Sequence, residues 1–220
     1  MHNYAQARQN MVDCQLATNG IMAPEVMAAF RTVPRECFLP ENKKGTAYSD
    51  EDLVLEKGAF FMEPVVHARM VQVAAPERSQ SVLNIGDLTG YSSAILSSLV
   101  STVVVLESRN GALDKARDVW DTLGCCNMAV VPGKEAEGNA EHAPYDLVFI
   151  NGAVVEVPDI LLAQLNEGGR LVTVIKKAGT TVGVITVMEK ARDGHFSTRR
   201  FFDAATPYAK GFEPVTGFVF

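Results

Sequence analysis

The feature that most narrows the fold is a run of short apolar stretches after residue 64. Residues 81–86 (SVLNIG), 101–108 (STVVVLES), 128–133 (MAVVPG), 145–153 (YDLVFINGA) and 170–177 (RLVTVIKK) are dominated by Val, Leu and Ile. Apolar runs of strand length without polar alternation are strands buried on both faces, and parallel neighbours need a crossover that a helix fills. The segments around them suit helices. PVVHARMVQVAA (64–75) spaces Val65, Met70 and Val73 helically, YSSAILSSLV (91–100) follows the first strand, and GALDKARDVWDTLG (111–124) closes on Gly124. PDILLAQLNEGG (158–169) has Pro at its start and glycines at its end. The order predicts an α/β fold, a mostly parallel central sheet with helices on both faces. Residues 182–202, with a hairpin turn at ARDGHF, and the tail PVTGFVF read as later strands that give an antiparallel edge.

Residues 1–64 read as helices and loops packed on a core of 65–220, one domain overall. Within them PEVMAAFRTV puts Val26, Met27, Phe30 and Val33 on one helical face, started by Pro24 and ended by Pro34. At 220 residues and 47% hydrophobic content the chain can bury a substantial core. A net charge of -6 argues against nucleic acid or an anionic membrane as partner, leaving a protein or small molecule. No stretch reaches the roughly 20 apolar residues of a membrane span and the N-terminus lacks a signal-peptide core, so a cytoplasmic location is expected. The four cysteines fit neither a disulfide framework nor a zinc site and are expected to be small buried apolar side chains. His67, His142 and His195 have no partner at ligand spacing and read as exposed polar residues, with no metal site. The lysine pairs 43–44 and 176–177 read as solvated ends of elements.

Chemistry concentrates in VLNIGDLTGYSSAIL. A buried strand stops at Gly86, a tight loop holds Gly90, and a helix opens near Tyr91. Glycines there let the backbone turn sharply and let a ligand approach. Glu107 ends the next strand about 20 residues later, where a carboxylate can accept both hydroxyls of an adenosine ribose. The alternative is a plain turn with an unrelated acid. The loop lacks the GxGxxG fingerprint of a nicotinamide dehydrogenase.

The order MVDCQL, VPRECFLP, AYSDEDL, GAFFMEPVVHARM, VLNIGDLTGY, VVVLES, APYDLVFINGA and LLAQLNEGGRLV resembles the protein-L-isoaspartate O-methyltransferases over most of the chain. The resemblance implies a Rossmann-like class I methyltransferase fold, S-adenosylmethionine as cofactor, and methyl transfer to a carboxylate of a protein or other acceptor. It implies that Asn84, Gly86, Asp87, Gly90, Tyr91, Glu107, Gly133, Lys134 and Asn151 line the cofactor, with Asp146 and Asn151 bracketing a strand near the reaction centre. Departures from the family pattern are specific. Asn84 replaces the first acid of the loop, Leu88 its middle glycine, and Lys134 an acid that commonly meets the adenine. Phe60, Phe61 and Met62 replace a Thr-Ile-Ser segment whose serine engages the substrate carboxylate. Phe and Met donate no hydrogen bond, which argues against isoaspartate as acceptor. These three residues form either an apolar substrate pocket or a stretch of core. A catalytic residue is therefore not assigned from sequence, and a non-catalytic descendant acting as a binding or regulatory module is the competing reading.

Overall fold

A computed structural model of the chain describes residues 3–55, 59–109, 111 and 113–214. The alternation of apolar runs and helical segments produces a seven-stranded sheet. Its strands are β3 (Ser81–Ile85), β4 (Thr102–Glu107), β5 (Met128–Pro132), β6 (Tyr145–Val154), β7 (Leu165–Ile175), β8 (Gly183–Lys190) and β9 (Phe196–Ala204), in spatial order β5-β4-β3-β6-β7-β8-β9. The first five run parallel and the last two antiparallel, as the sequence predicts. Chain order reverses at β3, which pairs with β4 on one side and β6 on the other, so a crevice opens beyond its carboxyl end.

Alternation along the buried strands divides the core in two. Val82, Val103, Val105, Phe149 and Val172 face a large cluster shared with the N-terminal segment and with helices α2 (Pro24–Thr32), α3 (Pro64–Ala74), α4 (Tyr91–Ser97) and α5 (Asp114–Leu123). Leu83, Ile85, Val104, Val148 and Leu171 face the opposite side, against the short helix α6 (Asp159–Ala163) and Ala209 with Phe212. The N-terminal segment begins with α1 (Tyr4–Asn10) and also contains a two-residue hairpin, β1 (Leu53–Val54) against β2 (Phe60–Phe61). Above β6, Ala153 and Tyr208 bridge in parallel, and a Cβ on Gly152 would meet the Ala209 nitrogen at 2.8 Å. Tyr208 and Ala209 thus pack over the end of β6.

Four expectations change. The helix read at 158–169 ends at Ala163, and Leu165 to Gly169 already belong to β7, although leucines at 161, 162 and 165 keep a helical spacing. His67 is buried, since the N-terminal segment covers the face of α3 that a two-layer fold would leave wet. Cys14, Cys37 and Cys126 are exposed and Cys125 half-buried, because they fall on the outer sides of their segments. Lys176 is buried, its Nζ donating to Thr206 O at 2.5 Å and lying over the Tyr208 ring. The predicted strand in the tail falls beyond Pro214, outside the described residues. Among the described residues no helix is long and apolar enough to cross a membrane.

Candidate active site

The loop after β3 is held by its own acid. Asp87 is buried and accepts from the backbone nitrogens of Gly90 (2.9 Å) and Ser93 (2.6 Å) and from Ser93 Oγ (2.7 Å). Burial pushes its carboxyl above the usual carboxylate range, against the pull of these donors from Ser93 and Gly90. Below it Asn84 donates to Ser93 Oγ at 2.9 Å and lies 3.4 Å from Asp87, while Asn84 Oδ1 accepts from Asn151 at 2.7 Å. Asn151 also donates to Ile85 O at 2.9 Å, tying the ends of β3 and β6 together. Asn84 and Asp87 thus serve a dry network that fixes the loop, with their polar atoms spent internally.

Gly90 has a packing role beside the one its motif implies. A Cβ there would lie 2.4 Å from Ala116 Cβ and 2.8 Å from Trp120, so the glycine permits the close approach of α5, and Trp120 Nε1 donates to its carbonyl at 2.8 Å. Leu88, in place of a glycine, is not among the residues with positive φ, so its side chain costs no backbone strain there.

The crevice beyond β3 is narrow, about 20 Å³, room for about one water. Phe60, Phe61 and Met62 form its apolar wall; Gly86, Asp87 and Leu88 its floor loop; and Asn151, Tyr91, His67 and Ser92 complete it. Phe61 and Met62 also belong to the core, so both readings of the segment hold at once. Arg35, fully buried, anchors this wall by donating to Met62 O (2.9 Å) and Ala47 O (2.8 Å), with its guanidinium stacked 4.1 Å from the Phe61 ring and 4.8 Å from the Tyr91 ring. Tyr91 is correspondingly packed among aromatic rings, and burial raises its hydroxyl to about 12.

A second cavity, about 270 Å³, lies at the end of β4, lined by Glu107, Ser108, Arg109, Leu113, Arg117 and Val130 among others. Glu107 is buried. Its Oε1 accepts from Arg109 N at 2.7 Å and lies 3.3 Å from Arg109 Nε, whereas Oε2 is buried with no partner among the described residues. A buried carboxylate oxygen without a donor is costly, and vicinal ribose hydroxyls are donors of the right kind. The residues present therefore fit an adenosine ribose.

Gly133 and Lys134 directly follow Pro132, which lines this cavity. Lys134 points to solvent and pairs with Glu137 at 2.7 Å, while the next residue, Glu135, is the buried one and accepts from Ser108 Oγ at 2.7 Å. A Cβ at Gly133 would lie 2.8 Å from Leu106 Cδ1, the end of a flexible side chain that can give way. Asp146 is a correction: it binds Ser81 N and Oγ at the opposite end of the sheet from the crevice and accepts from Asn166. His67, Ser92, Arg109 and Glu135 were missed; the position of His67 on the same helical face as buried Pro64, Val71 and Ala74 is the one signal that could have found it.

The family model described as protein-L-isoaspartate(D-aspartate) O-methyltransferase matches residues 6–205. The chain is 34% identical over 197 residues to a protein named protein-L-isoaspartate O-methyltransferase 2 from Pelobacter propionicus, covering 90% of this chain and 88% of that one. Its fold is similar to a solved structure named protein-L-isoaspartate O-methyltransferase, at TM-score 0.79 and 25% identity, covering 93% of this chain and 66% of that chain. It also resembles a Plasmodium falciparum protein described as of the same kind and solved with S-adenosyl-L-homocysteine, at TM-score 0.77 and 18% identity, covering 96% and 99%.

Proposed function

Because the chain belongs to the protein-L-isoaspartate(D-aspartate) O-methyltransferase family, we propose that it transfers the methyl group of S-adenosylmethionine to a carboxylate of a protein or other acceptor. The unpartnered Glu107 Oε2 carries this reading, since it is a buried acceptor standing beside a cavity at the end of the strand next to the switch point. When bound, the cofactor supplies a methyl group already activated on a sulfonium, so alignment is the main task left to the protein. Glu107 would grip the sugar, the Asn84–Asp87–Ser93 network would hold the loop rigid beneath it, and Phe60, Phe61 and Met62 would keep water from the reacting atoms. With a net charge of -6 and no spanning helix described, a cytoplasmic role on a protein or small-molecule acceptor fits better than one on nucleic acid.

The test is isothermal titration with S-adenosylmethionine and S-adenosylhomocysteine. Both should bind, and Glu107→Gln should weaken both about 10- to 100-fold, the range for a hydrogen bond to a charged group. The 20 Å³ crevice favours a second reading, a binding module that has lost its cofactor; absence of heat at millimolar ligand would decide for it.

A further inference from the structure

Two polar side chains of the crevice serve neither the loop network nor the ribose. His67 on α3 and Ser92 in the first turn of α4 are both buried, with His67 Nε2 and Ser92 Oγ 3.2 Å apart, and both line the crevice beside Met62. We propose that Ser92, oriented by His67, donates the hydrogen bond to the acceptor carboxylate that a methionine at position 62 cannot supply. This rests on the methyltransferase reading above.

The geometry around the pair fits a positioning role for His67. Its ring is wedged edge-on against Phe30 (5.2 Å between centroids) and Tyr91 (5.6 Å), with Phe149 at 6.1 Å, so it has one orientation. Burial, and then the charge of Arg35, lowers its pKa to about 3, so the ring is neutral in any ordinary buffer. With its proton on Nε2 it donates to Ser92 Oγ, which leaves the serine hydrogen free to point at a ligand. Ser92 is then a donor on a different wall from the one occupied by residue 62.

Proton balance, more than local charge, points to an anionic acceptor. Arg35 makes no ion pair among the described residues, and its Nη1 is buried without a partner directly behind the Phe61 and Tyr91 rings. Its charge is met at longer range by Asp52, and the buried Asp87 lines the crevice itself, so the local field there is of mixed sign. The reaction also balances without a base. A carboxylate oxygen forms the new O–CH₃ bond as the S–CH₃ bond breaks, the sulfonium leaves as a neutral thioether, and no proton moves. A hydroxyl acceptor would have to shed a proton, and a ring as weakly basic as His67 is poorly suited to take it.

The experiment uses the full chain saturated with S-adenosylhomocysteine and titrated with an isoaspartyl hexapeptide. The peptide should bind; Ser92→Ala should weaken it about 10-fold or more, and Ser92→Thr, which keeps the hydroxyl, should stay within about threefold. His67→Phe, which fills the ring's space, should weaken binding like Ser92→Ala, with cofactor affinity unchanged in every variant. With S-adenosylmethionine and the same peptide, the loss should fall on KM more than on kcat. The proposal is overturned if Ser92→Ala binds peptide as the parent does, if the loaded parent binds none, or if His67→Phe abolishes turnover while peptide affinity stands, which would make His67 a proton carrier. Failure of S-adenosylhomocysteine to bind strikes instead at the methyltransferase reading, and this proposal falls with it.

Discussion

At the scale of single residues, the loop departs from its family by moving a charge rather than losing one. The resemblance puts an acid at position 84; here residue 84 is Asn and the acid is Asp87, 3.4 Å from the Asn84 amide within one buried network. Asn84→Asp would place two carboxylates in a dry site whose one charge already titrates high through burial. We expect this variant to lose about 2–3 kcal/mol in urea unfolding, and Asn84→Asp combined with Asp87→Asn to recover most of it; a single variant as stable as the parent would refute the exchange. That Glu107 ends β4 was legible in sequence, because its distance from the loop has a geometric meaning. Lys134 and Glu135 were not, because which of two adjacent residues points inward after β5 depends on a turn that no periodicity records. His67 was misread for a similar reason: its burial is imposed by a third layer, residues far away in the chain.

At the scale of elements, the strands were readable and the helices less so. An apolar run of five or six residues between turn signals suits a strand, and β3 to β6 fall within one or two residues of expectation, although β5, at the sheet edge, is only partly buried. The segment after Pro158 failed because its leucines serve α6 and β7 in turn, and the glycine pair that looked like a helix stop, Gly168 and Gly169, sits inside a strand. Gly90 shows how an element can claim a residue that the loop seems to own. Gly90→Ala would drive a Cβ into Ala116 and Trp120 at a φ of +81°, so α5 must move away from α4. A loss of about 3 kcal/mol is expected from overpacking together with left-handed strain. Fluorescence of Trp120, the chain's single tryptophan, should report the shift in the folded state; an unchanged spectrum and stability would show that the contact is slack.

At the scale of the whole molecule, one hydrophobic cluster runs from Met11 to Ala204, so the N-terminal segment and the sheet should unfold in a single transition. Its pH dependence has two opposed parts. His67 is held neutral, with a folded pKa of about 3 against an ordinary value of about 6.5, so the unfolded state binds more protons and stability is lost as pH falls through that interval. Glu63 is raised to about 7, first by burial and then by Asp52 and Asp50, so the folded state binds more protons and its share is lost as pH rises from about 4.5 to 7. Melting measured from pH 4 to 8 should therefore show His67→Phe resisting acid better than the parent and Glu63→Gln losing less between pH 5 and 8; parallel curves for all three would contradict both assignments. The far edge of the sheet carries a separate consequence. Residues 196–203 of β9 are all exposed, and among the described residues no strand pairs with its outer side, the kind of ribbon on which fibrils template. Arg199 and Arg200 sit in the middle of it, so an identical ribbon laid alongside in register would bring like charges together, which disfavours that pairing even with Arg199 paired to Glu189.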